Sequence, residues 1–116
     1  MYSALANGGE HAGVRLLSAE AVARAQEGQG ATVDVVLGIG TGGLATEWAL
    51  GFLLSGEHGL LGPNPRAFGH GGYGGSFGLA DPDAGASLGY VMNHMGNNLI
   101  LDPRQVALFT ALYECL

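Results

Sequence analysis

The pattern of hydrophobic and polar positions predicts two short helices near the start of the chain. Residues 1–7 favour a helix that ends at Asn7-Gly8-Gly9, where glycine can take the left-handed conformation that closes a helix. A second helix begins at Ser18, a good N-cap, and runs to about Glu27. Its apolar face consists of Leu17, Ala21 and Ala25.

The middle of the chain changes to brief apolar segments separated by turn residues. These segments cover residues 48–54, 67–71, 76–80 and 87–93. Asp81-Pro82-Asp83-Ala84-Gly85 is a strong turn signal, in which Asp81 and Asp83 are expected to act as turn formers. The spacing therefore predicts an antiparallel meander.

The last segment predicts a helix that packs on this sheet. Asp102 can cap it, Pro103 suits its first turn, and an apolar stripe recurs at helical spacing. The stripe consists of Val106, Phe109, Tyr113 and Leu116. The fold class expected is α+β, an antiparallel meander flanked by helices, within one domain over residues 1–116.

Composition narrows the function classes. Charged residues make up 12 %, the formal net charge is −6, and none of the four basic residues is a lysine, which argues against nucleic-acid binding. No run of 18 apolar residues and no leader pattern occurs, so we expect no membrane span and a cytoplasmic location. The spacing of the four histidines and the lone Cys115 predict neither a metal site nor a cofactor.

The segment from Phe68 to Asp83 (FGHGGYGGSFGLADPD), followed by SLGYVMN from Ser87, resembles one family closely. It is similar to the third-motif region of class C β-lactamase-like and penicillin-binding-protein-like serine hydrolases, including family VIII-type carboxylesterases. Leu5-Ala6-Asn7-Gly8-Gly9 and Trp48-Ala49-Leu50-Gly51-Phe52 fall in the order that this family uses. The resemblance implies the C-terminal portion of a three-layer β-lactamase/transpeptidase-like fold.

The resemblance also implies the site. The family's third motif is Lys-Thr-Gly or a His-x-Gly variant on an edge strand, and His70-Gly71-Gly72 occupies that position here. His70 is thus the expected catalytic residue, able to hydrogen-bond a substrate or to assist proton transfer. Gly71, Gly72, Tyr73 and Gly74 are expected to bind substrate, with an oxyanion-hole N–H near Tyr73 and Gly74.

Two of the family's motifs are missing. The nucleophile lies in Ser-x-x-Lys, yet the chain has no lysine, and none of its four tyrosines begins Tyr-x-Asn. We therefore expect a fragment that acts on a small ester or β-lactam only with an N-terminal complementary chain. The alternative is a non-catalytic orphan domain or pseudoenzyme that binds a ligand or self-associates as a homo-oligomer.

Three other patterns predict different roles. Gly74-Gly75-Ser76-Phe77-Gly78 fits the nucleophile elbow Gly-x-Ser-x-Gly, but an elbow needs a strand before the serine and a helix after it. Gly38-Ile39-Gly40-Thr41-Gly42-Gly43 fits a dinucleotide fingerprint if residues 33–37 form a strand and a helix follows. Arg66 is either a solvated loop residue or a contact for an anionic substrate group.

Overall fold

A computed structural model describes residues 1–36, 38 and 42–116. Three helices and eight strands are present in this part of the chain. In chain order they are α1 (Tyr2–Ala6), β1 (Glu10–His11), β2 (Val14–Arg15), α2 (Ala19–Ala25), β3 (Ala31–Val33), β4 (Ala45–Glu47), β5 (Leu53–Leu54), β6 (Phe68–Gly71), β7 (Phe77–Asp81), β8 (Ala86–Tyr90) and α3 (Pro103–Glu114).

The main sheet is an antiparallel meander in the order β5-β6-β7-β8. Residues Phe68 to Gly71 of β6 pair with Ala80 to Phe77 of β7, and the five residues of β7 pair in turn with those of β8. Two further antiparallel pairs, β1 with β2 and β3 with β4, stand outside this sheet. The predicted α+β class and the meander are therefore confirmed.

Helices cover both faces of the meander, which gives three layers. Since side chains alternate between the two faces of a strand, each face packs a different cluster. On one face, Phe68 and Ala80 pack with Leu5 of α1 and Val22 of α2. On the other face, Phe77 and Leu79 pack with Phe109 of α3, and the rings of Phe77 and Phe109 meet edge to face at 4.7 Å.

The helix ends follow the sequence signals. The Ser18 hydroxyl accepts a hydrogen bond from the Ala21 N–H at the start of α2. Asp102 forms a capping box with Gln105 at the start of α3, and Pro103 occupies the first turn. Caps are local, because a side chain reaches only backbone groups within its own turn, and so the sequence predicts them well.

The apolar stripe predicted for α3 needs correction. Phe109 is buried and Tyr113 is partly buried, but Val106 and Leu116 are exposed, at 45% and 69%. Gln105 is instead almost fully buried on the inner face. Its amide is used twice, because Oε1 accepts from the Asp102 N–H and Nε2 donates to the Ser76 carbonyl. A buried polar residue with both groups paired can replace an apolar one.

The strands are shorter than the apolar segments. Segment 48–54 contains an isolated bridge at Trp48 and only two residues of β5, because Gly51 (φ 88°) makes a tight turn between them. Within segment 87–93, strand β8 ends at Tyr90, so the last three residues of the segment are not part of the strand. The β1–β2 and β3–β4 pairs were not predicted, since neither shows a long alternation of polar and apolar residues.

Asp81 is more than a turn former. It is fully buried at the end of β7, and its carboxylate accepts from the N–H groups of Asp83 and Ala84, which is the turn role expected. It also accepts from Asn64 Nδ2 at 2.8 Å and from the Tyr113 hydroxyl at 2.6 Å. These two contacts come from distant parts of the chain, so the sequence pattern does not show them.

Candidate functional site

The His70-Gly71-Gly72 motif lies at the end of β6 and just past it. The expectation of an edge strand is corrected, since β6 lies between β5 and β7. The β5 pairing, however, covers Phe68 and Gly69 only, whereas the β7 pairing covers all of β6. The half of β6 that carries the motif therefore extends beyond the end of β5, and on that side no strand of the described residues pairs with it.

The direction of the backbone groups along β6 follows from its hydrogen bonds. The Ser55 N–H donates to the Ala67 carbonyl on the β5 side, and the Gly72 N–H donates to the Ser76 carbonyl on the β7 side. Because successive residues of a strand direct their backbone groups to opposite sides, the backbone groups of Gly71 face the open side. Tyr73 lies beyond the strand, in the turn that the Gly75 N–H closes by donating to the Gly72 carbonyl.

Two of the predicted binding residues have their N–H groups occupied. The Gly72 N–H donates to Ser76 O at 2.7 Å, and the Gly74 N–H donates to Asn98 O at 3.2 Å. The Tyr73 N–H has no acceptor within residues 1–36, 38 and 42–116. The prediction of an oxyanion donor near Tyr73 and Gly74 is thereby narrowed to Tyr73.

His70 has an exposed side chain next to this open side. Its Nδ1 contacts the carbonyl oxygen of Gly71, and because a carbonyl can only accept, Nδ1 carries the proton. In the neutral ring Nε2 is then an acceptor. The rings of His70 and Trp48 lie 5.3 Å apart between centroids, tilted by 52°, so Trp48 limits where the imidazole can move.

The turn after the motif is held by Arg104 and Asp102. Arg104 donates to the carbonyls of Gly74 and His94, each at 2.8 Å, and its guanidinium binds the Asp102 carboxylate with Nε–Oδ1 at 2.8 Å. This bonding lowers the pKa of Asp102 to about 2. Gly74 has a φ of 89°, and a Cβ there would lie 2.3 Å from the Met95 side chain, so the turn requires glycine. Nothing in the sequence pattern indicated this role for Arg104.

A cavity of about 310 Å³ opens beside the motif. Its walls include His70, Gly71, Gly72 and Tyr73, together with Trp48. Most of the remaining lining is apolar. It comprises Thr46, Leu53, Leu60, Leu61, Phe77, Leu99, Ile100, Leu101, Gln105 and Phe109. A cavity of this size and polarity suits a small organic ligand.

The competing patterns lack the structure they need. Ser76 is followed by strand β7 rather than by a helix, and its hydroxyl bonds no histidine in the described part of the chain. Strand β4 follows the glycine segment, so the strand–helix order of a dinucleotide site is absent from the described residues. Residues 37 and 39–41 of that pattern lie outside them. Arg66 is an exposed loop residue, with 66% of its side chain accessible, and it pairs with Asp83, which agrees with the interpretation as a solvated loop arginine.

The described residues contain neither a grouped set of metal ligands nor a membrane-spanning helix. Among the described residues, no three His, Cys, Asp or Glu side chains are grouped so that they could hold a metal ion. No helix in the same residues is long and apolar enough to cross a membrane.

Comparison with known proteins identifies what the chain resembles. The protein family described as Beta-lactamase matches residues 2–111. A family VIII carboxylesterase structure is 45% identical, with a TM-score of 0.88. A penicillin-binding protein homologue from Caulobacter crescentus is 39% identical, with a TM-score of 0.89. Each match covers 99% of this chain and 30% of the other, so the chain spans about a third of the length of these structures. No curated protein matches the chain.

Proposed function

The chain belongs to the Beta-lactamase family, and from this premise we propose that it supplies the substrate-binding strand of a serine hydrolase acting through an acyl-enzyme. The observation that carries the proposal is the Tyr73 N–H, a backbone donor in the turn after β6 that has no acceptor among the described residues. It lies directly after His70-Gly71-Gly72. An N–H in this position can stabilise the negative oxygen that develops on a carbonyl under attack.

His70 would act beside this donor. Its Nδ1 is held by the Gly71 carbonyl, which leaves Nε2 to hydrogen-bond the substrate or to exchange a proton with it. Gly71 and Gly72 leave room for a ligand to approach the strand closely. The substrate class we propose is a small carboxylic ester or a β-lactam, as in the family.

The nucleophile would come from another polypeptide segment. A serine needs a neighbouring base to remove its proton, and the family's base is the lysine of Ser-x-x-Lys, a residue type absent from these 116 residues. We therefore propose that the chain frames the carbonyl group and that a complementary segment with Ser-x-x-Lys and Tyr-x-Asn attacks it.

The test compares the chain alone with a mixture. We expect the purified chain neither to react covalently with a fluorophosphonate nor to hydrolyse p-nitrophenyl esters or nitrocefin. Mixed with a segment of the family VIII carboxylesterase that carries both missing motifs, it should show activity. His70→Ala should lower that activity about 100-fold or more, the usual contribution of an acid–base group. Repeated turnover by the chain alone would contradict the proposal.

The matched control is His11→Ala. His11 is exposed on β1 and is not a wall residue of the cavity, so this variant should leave the activity of the mixture unchanged.

The missing lysine also favours a second candidate, a pseudoenzyme that binds the same ligands without cleaving them. The two differ in the mixture experiment, because a pseudoenzyme would bind esters there yet form no acyl-enzyme.

A further inference from the structure

The indole of Trp48 packs against the imidazole of His70. The ring centroids lie 5.3 Å apart, and the ring planes are tilted by 52°. Trp48 is half-buried and lines the same cavity as His70. Its indole nitrogen is buried and has no hydrogen-bond partner. The contact with His70 is therefore made by the aromatic rings and involves no hydrogen bond from the indole.

The backbone of Trp48 is held by parts of the chain other than β6. Trp48 directly follows β4, which pairs with β3. Its carbonyl accepts a hydrogen bond from the Gln29 N–H at 2.8 Å, and an antiparallel bridge joins it to Leu53. The indole thus extends from a paired and anchored segment.

The side chain of His70 has much less support. It is exposed, and the hydrogen bond given for it within residues 1–36, 38 and 42–116 is the one from Nδ1 to the carbonyl of the adjacent Gly71. An exposed histidine has three staggered positions of χ1 and about two of χ2. The indole comes from a different strand, so it can restrict torsions that a neighbouring residue leaves free.

No carboxylate is available in the cavity to orient the imidazole. In histidine-based sites a third group usually holds the ring, most often an aspartate. The described lining of the cavity contains no Asp or Glu, and no Lys or Arg. The orientation of His70 therefore depends on packing rather than on charge.

We propose that Trp48 is a positioning residue for His70. Its indole, anchored through β4 and the bridge to Leu53, keeps the imidazole in the orientation that has Nδ1 on the Gly71 carbonyl and Nε2 free for a substrate. The proposal rests on the proposed function, because this orientation matters for activity only if Nε2 acts on a substrate.

Nuclear magnetic resonance of the chain alone tests the orientation. A proton held against an indole ring is displaced in chemical shift by the ring current. The chain contains four histidines and one tryptophan, and the signals lost in His70→Ala identify those of His70. We expect the carbon-bound imidazole protons of His70 to show an NOE to the indole protons and to be displaced from those of the other histidines. In Trp48→Leu the displacement should disappear.

The active mixture tests the consequence for catalysis. Trp48→Leu should lower kcat about 3- to 6-fold, because a free imidazole would occupy one of three χ1 positions and one of about two χ2 positions only part of the time. Trp48→Phe keeps an aromatic ring at the same place and should retain most of the parent kcat. A residue that served only as cavity wall would instead change KM and leave kcat unaltered.

The matched control is Phe52→Leu, which removes an aromatic ring from the same stretch of chain. The Phe52 ring packs edge to face on Phe68 at 5.2 Å and is not a wall of the cavity. Any loss of stability in this variant, measured in urea, shows what the removal of a packed ring does by itself. The His70 signals and kcat should remain as in the parent.

The outcomes separate the two proposals. If the parent shows no NOE between the two rings, or if Trp48→Leu changes KM alone in an active mixture, the positioning proposal is wrong and the proposed function stands. The NOE needs no substitution, so it decides the matter even where Trp48→Leu does not fold. If the mixture with the parent chain is inactive, the proposed function fails, and the positioning role fails with it.

Discussion

Asp81 illustrates how one residue joins distant parts of the molecule. The carboxylate is fully buried at the end of β7 and accepts hydrogen bonds from its own turn, from Asn64 and from the hydroxyl of Tyr113 in α3. Burial, with the Asp81 carboxylate adding to it, raises the pKa of Tyr113. The phenol therefore stays protonated and donates throughout the neutral range.

We expect Tyr113→Phe to lower the free energy of unfolding by about 1–2 kcal/mol, because it removes a hydrogen bond to a buried carboxylate. The measurement is urea denaturation followed by circular dichroism. Tyr73→Phe is the control, since Tyr73 is 53% exposed and its hydroxyl has no recorded bond in the described residues. Equal stability of Tyr113→Phe and the parent would show that Asn64 and the turn N–H groups suffice.

At the scale of elements, helix α3 fixes the turn that follows the motif. Its N-cap residue Asp102 holds Arg104, and Arg104 in turn holds the carbonyl of Gly74. The N–H of the same glycine is held by Asn98. Each anchor fixes the position of residue 74 and, through the chain, the direction of the Tyr73 N–H. Arg104 is thus a positioning residue rather than a catalytic one.

Arg104→Met tests this role by amide hydrogen exchange. Without the guanidinium, the turn should open more often, and the Gly74 N–H should exchange about tenfold faster or more. Amides in the centre of β7 should exchange as in the parent. The control is Arg24→Met, which removes an exposed arginine from the last turn of α2. An unchanged rate at Gly74 in Arg104→Met would show that the turn is held without the arginine.

At the scale of the whole molecule, strand β8 leaves one edge of the sheet open in the described residues. Backbone N–H and C=O groups alternate in direction along β8 as they do along β6. By the register of the sheet, those of Ser87 and Gly89 point away from β7. An open edge of this kind pairs readily with another strand. Nearby, Val91 is 83% exposed. Both features favour association with a second chain.

We expect sedimentation velocity to show that the purified chain associates as its concentration rises. Ser87→Pro removes an N–H that points away from β7 and leaves the hydrogen bonds between β8 and β7 in place. It should therefore shift the association equilibrium toward the monomer. Ser87→Thr keeps the N–H and should associate like the parent. A parent that stays monomeric at millimolar concentration would contradict this expectation.

The sequence predicted what depends on local chemistry. The helix caps at Ser18 and Asp102, the turn at residues 81–85 and the meander all follow from neighbouring residues, because caps and turns are made by side chains a few positions apart. The motif around His70 likewise identified the family, since it is a contiguous run of residues. These features need no knowledge of distant contacts.

Only the tertiary structure decided how these pieces meet. It placed β6 inside the sheet, occupied the N–H of Gly74 while leaving that of Tyr73 unused, and buried the Trp48 indole without a partner. Each outcome depends on strand register and on residues far apart in the chain, and a one-residue change of register would reverse which backbone groups face the cavity. The chain's amino acids thus specify the parts of the site, whereas pairing and packing specify which atoms remain available to a ligand.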